Sequence, residues 1–343
     1  MSEAALSEEP IPATSAEPII RVRNVSKSFE NVTAVRDISF DVPPGHVVGF
    51  IGENGAGKTT TMRMMVTLEL PDHGSIQVGG WDVVEQPGEV RRLIGWMPDS
   101  YGAYPHVTVL DYLDFYARAC GLRGEARADR VKEVMEFADL TTLADRPMNA
   151  LSKGMAQRLC FGRALVQDPK VLILDEPAAG LDPKARIEFK NLVHLLSRRG
   201  TTIFISSHIL SELAEMCDSL VFIHGGRVVR QGTADSLRHQ DGEEACIIDL
   251  QVHGSETPLI EWLATHPGWK LFEQRKGLVR AAYESNARER LAGELRRMVT
   301  DGIAITDFHR QERRLEEVFV DVLRQSADEQ RQAAAAPPPL PGR

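Results

Sequence analysis

Residues 52–60 read GENGAGKTT, and they decide the fold. They follow an apolar run, Val47-Val48-Gly49-Phe50-Ile51, and lead into Thr61-Met62-Arg63-Met64-Met65, which reads as helix. A strand, a Gly-rich turn and a helix form the context in which G-x-x-x-x-G-K-[ST] binds phosphates. Gly52, Gly55 and Gly57 open backbone dihedrals that other residues avoid. Together with Asn54, Ala56 and Thr60 they can turn successive N–H groups inward as an anion nest. The following helix adds roughly half a positive charge at its start. Lys58 is expected to reach the β- and γ-phosphates of a nucleotide, and Thr59 to ligate Mg²⁺ through its hydroxyl.

Downstream, residues 171–177 read VLILDEP, an apolar strand ending in two acids. A buried strand can hold Asp175 beside the phosphate loop, where it would keep Mg²⁺ through waters and Thr59. Glu176, one position on, is the natural group to polarise an attacking water. Between the two motifs lies LSKGM at residues 151–155. Ser152 has the character of an N-cap, and Gly154 lets an anion approach the helix start closely.

The chain has 343 residues, room for about two domains. Its 43% hydrophobic and 26% charged residues are those of an ordinary soluble globular protein. No apolar run approaches the ~18 residues needed to cross a bilayer. Residues 1–18, MSEAALSEEPIPATSAEP, are acidic and lack the apolar centre of a signal peptide. A net charge of −9 gives no support for nucleic-acid binding. Cys120, Cys160, Cys217 and Cys246 lack metal or redox spacing and read as reduced thiols of a cytosolic protein. Any membrane role must come through a partner.

Strand-like segments alternate with helical ones from residue 18 to about 240, which argues for an α/β core on a largely parallel sheet. Helical spacing at 110–119, 127–138 and 155–166 suggests a helical subdomain over about residues 100–166. Residues 241–325 read β-α-β-β-α-β, the pattern of a small α+β, ferredoxin-like accessory domain. Residues 1–17 and the Pro/Ala-rich 326–343 have little to bury and read as disordered.

The order of these motifs resembles that of the ATP-binding cassette (ABC) ATPases, P-loop NTPases that serve as nucleotide-binding subunits of membrane transporters. GENGAGKT, LSKGM and VLILDEP are followed by Gly180-Leu181-Asp182 and by a His after a strand, Ile203-Phe204-Ile205-Ser206-Ser207-His208. The resemblance covers residues 18–233. It implies a Mg²⁺-dependent ATPase in which two chains sandwich two ATPs. Ser152 and Gly154 would then contact ATP held by a second copy, either of this chain or of a paired ATPase. His208 matches the switch histidine at the γ-phosphate, and Asp182 the D-loop aspartate that links the two sites. Phe29 sits where the family places an aromatic on adenine, although a core position suits a Phe equally. Asp99 stands where the family usually has Gln. It can ligate the metal or turn toward the helical subdomain, and the surface-loop character of residues 101–107 favours the second.

A narrower resemblance is to the ATPases of drug exporters such as the daunorubicin exporter. It rests on Tyr104-Pro105-His106-Val107-Thr108-Val109, on Lys153-Gly154-Met155, and on Leu315-Glu316-Glu317-Val318-Phe319. That last stretch also fits an amphipathic helix packing on the small domain. The resemblance implies export through a separate membrane permease, with the chain peripheral on the cytoplasmic face and no direct nucleic-acid contact. Two other readings are a non-transport cassette ATPase acting on ribosomes or DNA, and an ATP-dependent regulatory module. The single cassette without a long coiled-coil insertion speaks against the first. The intact Lys58, Asp175, Glu176 and His208 speak against the second.

Overall fold

The computed structural model describes residues 17–100, 102, 104–238, 246–285, 287–310 and 319. Its contacts divide the chain into two compact units, Met1–Ala234 with Phe319–Arg343, and Asp235–Val318. The division falls at Ala234, a few residues before the expected boundary at 240.

The first unit opens with a hairpin, β1 (Ile20–Phe29) and β2 (Val32–Val42). Then come β3 (Val47–Ile51), the Gly-rich loop and α1 (Lys58–Met65). β4 (His73–Val78) and β5 (Trp81–Asp82) return to the hairpin and complete an antiparallel sheet in the order β2-β1-β4-β5. The N-terminal strands therefore form an antiparallel sheet of their own, separate from the largely parallel sheet of the core. α2 (Pro87–Leu93) leads into β6 (Ile94–Met97). Three helices follow, α3 (Val109–Ala119), α4 (Gly124–Phe137) and α5 (Lys153–Leu165). Thr108 starts α3 with a reciprocal cap, its hydroxyl accepting from the Asp111 N–H while the Asp111 carboxylate accepts from the Thr108 N–H.

The chain then alternates β7 (Val171–Leu174), α6 (Pro183–Arg198), β8 (Thr202–Ser207), α7 (Leu210–Ala214), β9 (Ser219–His224), β10 (Arg227–Gly232) and α8 (Ala234–Arg238). The second sheet runs β10-β9-β3-β8-β7-β6, parallel from β9 to β6 and antiparallel only at the β10 edge. β3, β7 and β8 are buried at every residue, as parallel strands covered on both faces must be. The two sheets meet through Phe40 of β2, whose ring lies 5.7 Å from both Phe50 and Phe204. Each such fully buried ring contributes about 1.5–3 kcal/mol of transfer free energy.

Register sets the functional edge. Ile51 pairs with Ser207, Leu174 with Ile205, and Met97 with Leu174. The residues that follow these strands therefore leave the sheet together at its C-terminal edge, where ligands bind in open α/β folds.

The second unit comprises β11 (Cys246–Val252), α9 (Thr257–Thr265), β12 (Trp269–Arg275), β13 (Leu278–Tyr283), α10 (Arg288–Thr300) and β14 (Ile305–Arg310). Its sheet is antiparallel in the order β12-β13-β11-β14, the ferredoxin-like arrangement. Ile248, Leu250, Leu259, Trp262, Val279 and Met298 form its core. Ile303, between α10 and the last strand, is buried against this core. Of the stretch 315–319, which fits an amphipathic helix packing on the small domain, only Phe319 is described. It groups with the first unit, not the small domain, and its ring lies 5.3 Å from Phe222 of β9. The remainder of that stretch, most of 1–17 and the tail at 326–343 lie outside the described residues.

Candidate functional site

The loop after β3 is shaped by close approach. Gly57 has φ +105°, and a Cβ there would stand 2.5 Å from the carbonyl oxygen of Ala34. A Cβ on Gly52 would stand 2.3 Å from Ile223 O. Both positions exclude a side chain, so the loop curls tightly over the sheet edge. Lys58, only 6% exposed, points back inside the curl. Its Nζ donates to Gly52 O at 2.7 Å and Glu53 O at 3.3 Å, and lies 3.4 Å from Glu176 Oε1. Asn54 and Gly55 are exposed at the tip, Ala56 is buried, and Thr60 is half-buried.

β7 delivers the acids. Asp175 is 1% exposed and accepts two hydroxyls, Thr59 Oγ1 on Oδ2 at 2.7 Å and Ser206 Oγ on Oδ1 at 2.6 Å. Burial pushes its carboxyl above the ordinary range. The two hydroxyls oppose that rise, and the charges of Glu176 and Asp99 add to it. The fit to Mg²⁺ lies in the donor set: a hydroxyl and a carboxylate oxygen side by side, at the mouth of a phosphate loop, are hard-ion ligands. Among the described residues no three His, Cys, Asp or Glu side chains converge on a metal site. A cation here would need phosphate oxygens or waters as further ligands, as Mg²⁺ commonly does.

Glu176 adopts φ +48°, the left-handed region, and its N–H donates to Ser206 Oγ at 2.9 Å. Such a conformation costs about 1–3 kcal/mol and persists where the surroundings over-determine it. It turns the carboxylate toward Lys58 on one side and His208 on the other. His208 Nδ1 lies 2.8 Å from Glu176 Oε2, while Glu176 Oε1 is buried without a hydrogen bond. Lys58, Thr59, Asp175, Glu176 and His208 thus form one contiguous cluster drawn from three adjacent strands.

Ser152 caps α5, its Oγ accepting from Met155 N at 3.4 Å. A Cβ on Gly154 would meet only Leu181 Cδ2, at 3.6 Å, so the start of this helix is open. Asp182 caps α6, Oδ1 accepting from Ala185 N at 2.9 Å, with Pro183 in the first turn. α5 is tied to the segment before α6 by Gln157 Nε2, which donates to Ala179 O at 3.0 Å.

One alternative falls away. Phe29 is no core residue: it is 43% exposed at the end of β1, with Lys27 Nζ 5.2 Å from its ring centre. Asp99 follows β6 as an exposed residue, and its charge adds in a small way to the rise of the Asp175 carboxyl. The sequence reading missed Ser206, the hydroxyl that bridges both acids. Its signal was present, a Ser pair ending an otherwise apolar strand before His208.

A phosphate loop backed by a Mg²⁺-type carboxylate and a Glu–His pair defines the site of a P-loop nucleotide triphosphatase. Residues 35–179 match the ABC transporter family. The ABC transporter ATP-binding protein NatA of Bacillus subtilis (strain 168) is 36% identical over 231 residues, 66% of this chain and 94% of that protein. The Nod factor export ATP-binding protein I of Ralstonia nicotianae is 35% identical over 257 residues, 75% of this chain and 79% of that protein. Among solved structures, an ATP-binding subunit of an ABC transporter has a TM-score of 0.59 at 31% identity, over 64% of this chain and 92% of that one. A dimeric ATP-binding cassette in a post-hydrolysis state, bound to ADP and Pi, has a TM-score of 0.59 at 23% identity. It covers 62% of this chain and 98% of its own, and shares the fold. The chain belongs to the ABC transporter ATP-binding family, and its first unit is an ABC-type ATPase.

Proposed function

We propose that this chain is the ATP-binding and ATP-hydrolysing subunit of an exporter, acting as one of a pair of ATPases on a separate membrane permease. The observation that carries the reading is the Lys58–Glu176–His208 cluster beside Thr59 and Asp175. Lys58 and the loop N–H groups would bind the β- and γ-phosphates. Thr59 and Asp175 would hold Mg²⁺, which when bound neutralises charge on the phosphates. Glu176 would orient a water and accept its proton. His208, already on Glu176 through Nδ1, keeps Nε2 for the γ-phosphate. Ser152 and Gly154, at the open start of α5, are suited to a nucleotide on a second chain.

No described helix is long and apolar enough to cross a membrane, so translocation is assigned to the permease. Two relatives supply the direction, one named for Nod factor export and one a probable multidrug ABC transporter ATP-binding protein of Escherichia coli (strain K12). The place assigned to the chain is the cytoplasmic face of the membrane. The test is purification of the tagged chain from gently solubilised membranes. An integral membrane protein should co-purify and stimulate Mg²⁺-dependent ATP hydrolysis. An active ATPase that brings down no membrane protein would sink the exporter reading.

A further inference from the structure

Glu212 lies in the first turn of α7, four residues past His208, with its side chain only 7% exposed. A carboxylate so enclosed needs a counter-charge. Arg186 of α6 supplies it, with Nη1 3.0 Å from Glu212 Oε1. The same guanidinium donates from Nη2 to Leu181 O at 3.4 Å, and the Arg186 N–H donates to Asp182 O at 3.0 Å. One side chain therefore touches the segment before α6 and the helix behind His208. Burial holds the Glu212 carboxyl above its ordinary range. Arg186 and His208 oppose that rise and Glu176 adds to it, so Glu212 feels both members of the Glu176–His208 pair. The ion pair is imperfectly seated: Arg186 Nε and Glu212 Oε1 are both buried without a hydrogen bond.

We propose that Arg186 and Glu212 are positioning residues that tie residues 181–182, ahead of α6, to the start of α7. In doing so they hold His208 against Glu176. The reaction needs neither side chain as acid, base or ligand. The proposal rests on the ATPase reading above.

The test is steady-state ATP hydrolysis by the full chain as wild type, Glu212→Gln, Arg186→Gln and the double variant. Rates are counted per nucleotide-binding site titrated in the same preparation, which removes unfolded protein from kcat. Each single variant should lower kcat about tenfold and leave KM for ATP within about twofold. The double variant should be no slower than the slower single, because the two act as a unit. Arg186→Lys keeps a charge opposite Glu212 and should recover most of the loss. If Arg186→Gln does not fold, having stranded a buried carboxylate, Glu212→Gln and Arg186→Lys carry the comparison. Wild-type kcat in Glu212→Gln, or losses that multiply in the double variant, would overturn the positioning role and leave the ATPase reading standing. A wild-type chain without ATP hydrolysis overturns both.

Discussion

Glu176 holds a strained backbone between a lysine and a histidine. Glu176→Gln keeps the shape but accepts a proton poorly. ATP binding should persist while hydrolysis slows by about 10²-fold or more. A wild-type steady-state rate would remove Glu176 from the chemistry. Lys58→Ala should act earlier, weakening ATP affinity about tenfold or more through loss of a point charge on the phosphates. Calorimetric titration checks it, and unchanged affinity would refute the phosphate-loop assignment. Asp99 offers a third test. Its charge reaches Asp175, so Asp99→Gln withdraws negative charge from the metal corner. The Mg²⁺ concentration for half-maximal hydrolysis should rise severalfold. An unchanged Mg²⁺ requirement with altered stimulation by the permease would turn Asp99 toward the helical subdomain instead.

Among the elements, the start of α5 carries the sharing of sites between chains. Ser152 caps the helix through a 3.4 Å contact, so Ser152→Ala costs about 0.5–1 kcal/mol of stability. A larger effect on hydrolysis than on stability would mark a role beyond capping. Gly154→Asp has space within its own chain, with Leu181 3.6 Å from the new Cβ, and should fold. Its lesion should fall on ATP bound by the partner. Mixing Gly154→Asp with Lys58→Ala chains places both lesions in one site of the heterodimer and neither in the other. Hydrolysis should partly recover on mixing, although neither variant is active alone. No recovery from heterodimers shown to form would argue against one intact site being sufficient.

Across the whole molecule, every residue of the candidate site belongs to the first unit, as does Phe319. A chain ending at Ala234 should therefore bind ATP. It should also melt earlier, because it loses the Phe319 ring beside Phe222. Phe319→Ala in the full chain should reproduce about 1–3 kcal/mol of that loss, less than a core Phe would because the residue is half-buried, with ATP affinity unchanged. Thermal unfolding and nucleotide titration of both proteins check this. A folded truncated chain that no longer bound ATP would show that the second unit supports the site.

The sequence by itself determined the phosphate loop, the strand that carries Asp175 and Glu176, and the cap at Ser152. Each of these is local chemistry: a turn that demands glycine, an apolar run that ends in acids, a polar residue before a helix. The β-α-β-β-α-β order of the second unit was legible for the same reason, since strand and helix periods differ. Only the tertiary structure decided that Ser206 bridges the two acids and that Glu212 meets Arg186. It also decided that Phe29 is exposed and that Phe319 groups with the first unit. These depend on which strands lie side by side. The β3-β8-β7 order sets Ser206 beside Asp175, although 31 positions separate them in the chain. Periodicity records which face of a strand is buried, and it carries no record of the neighbour that buries it.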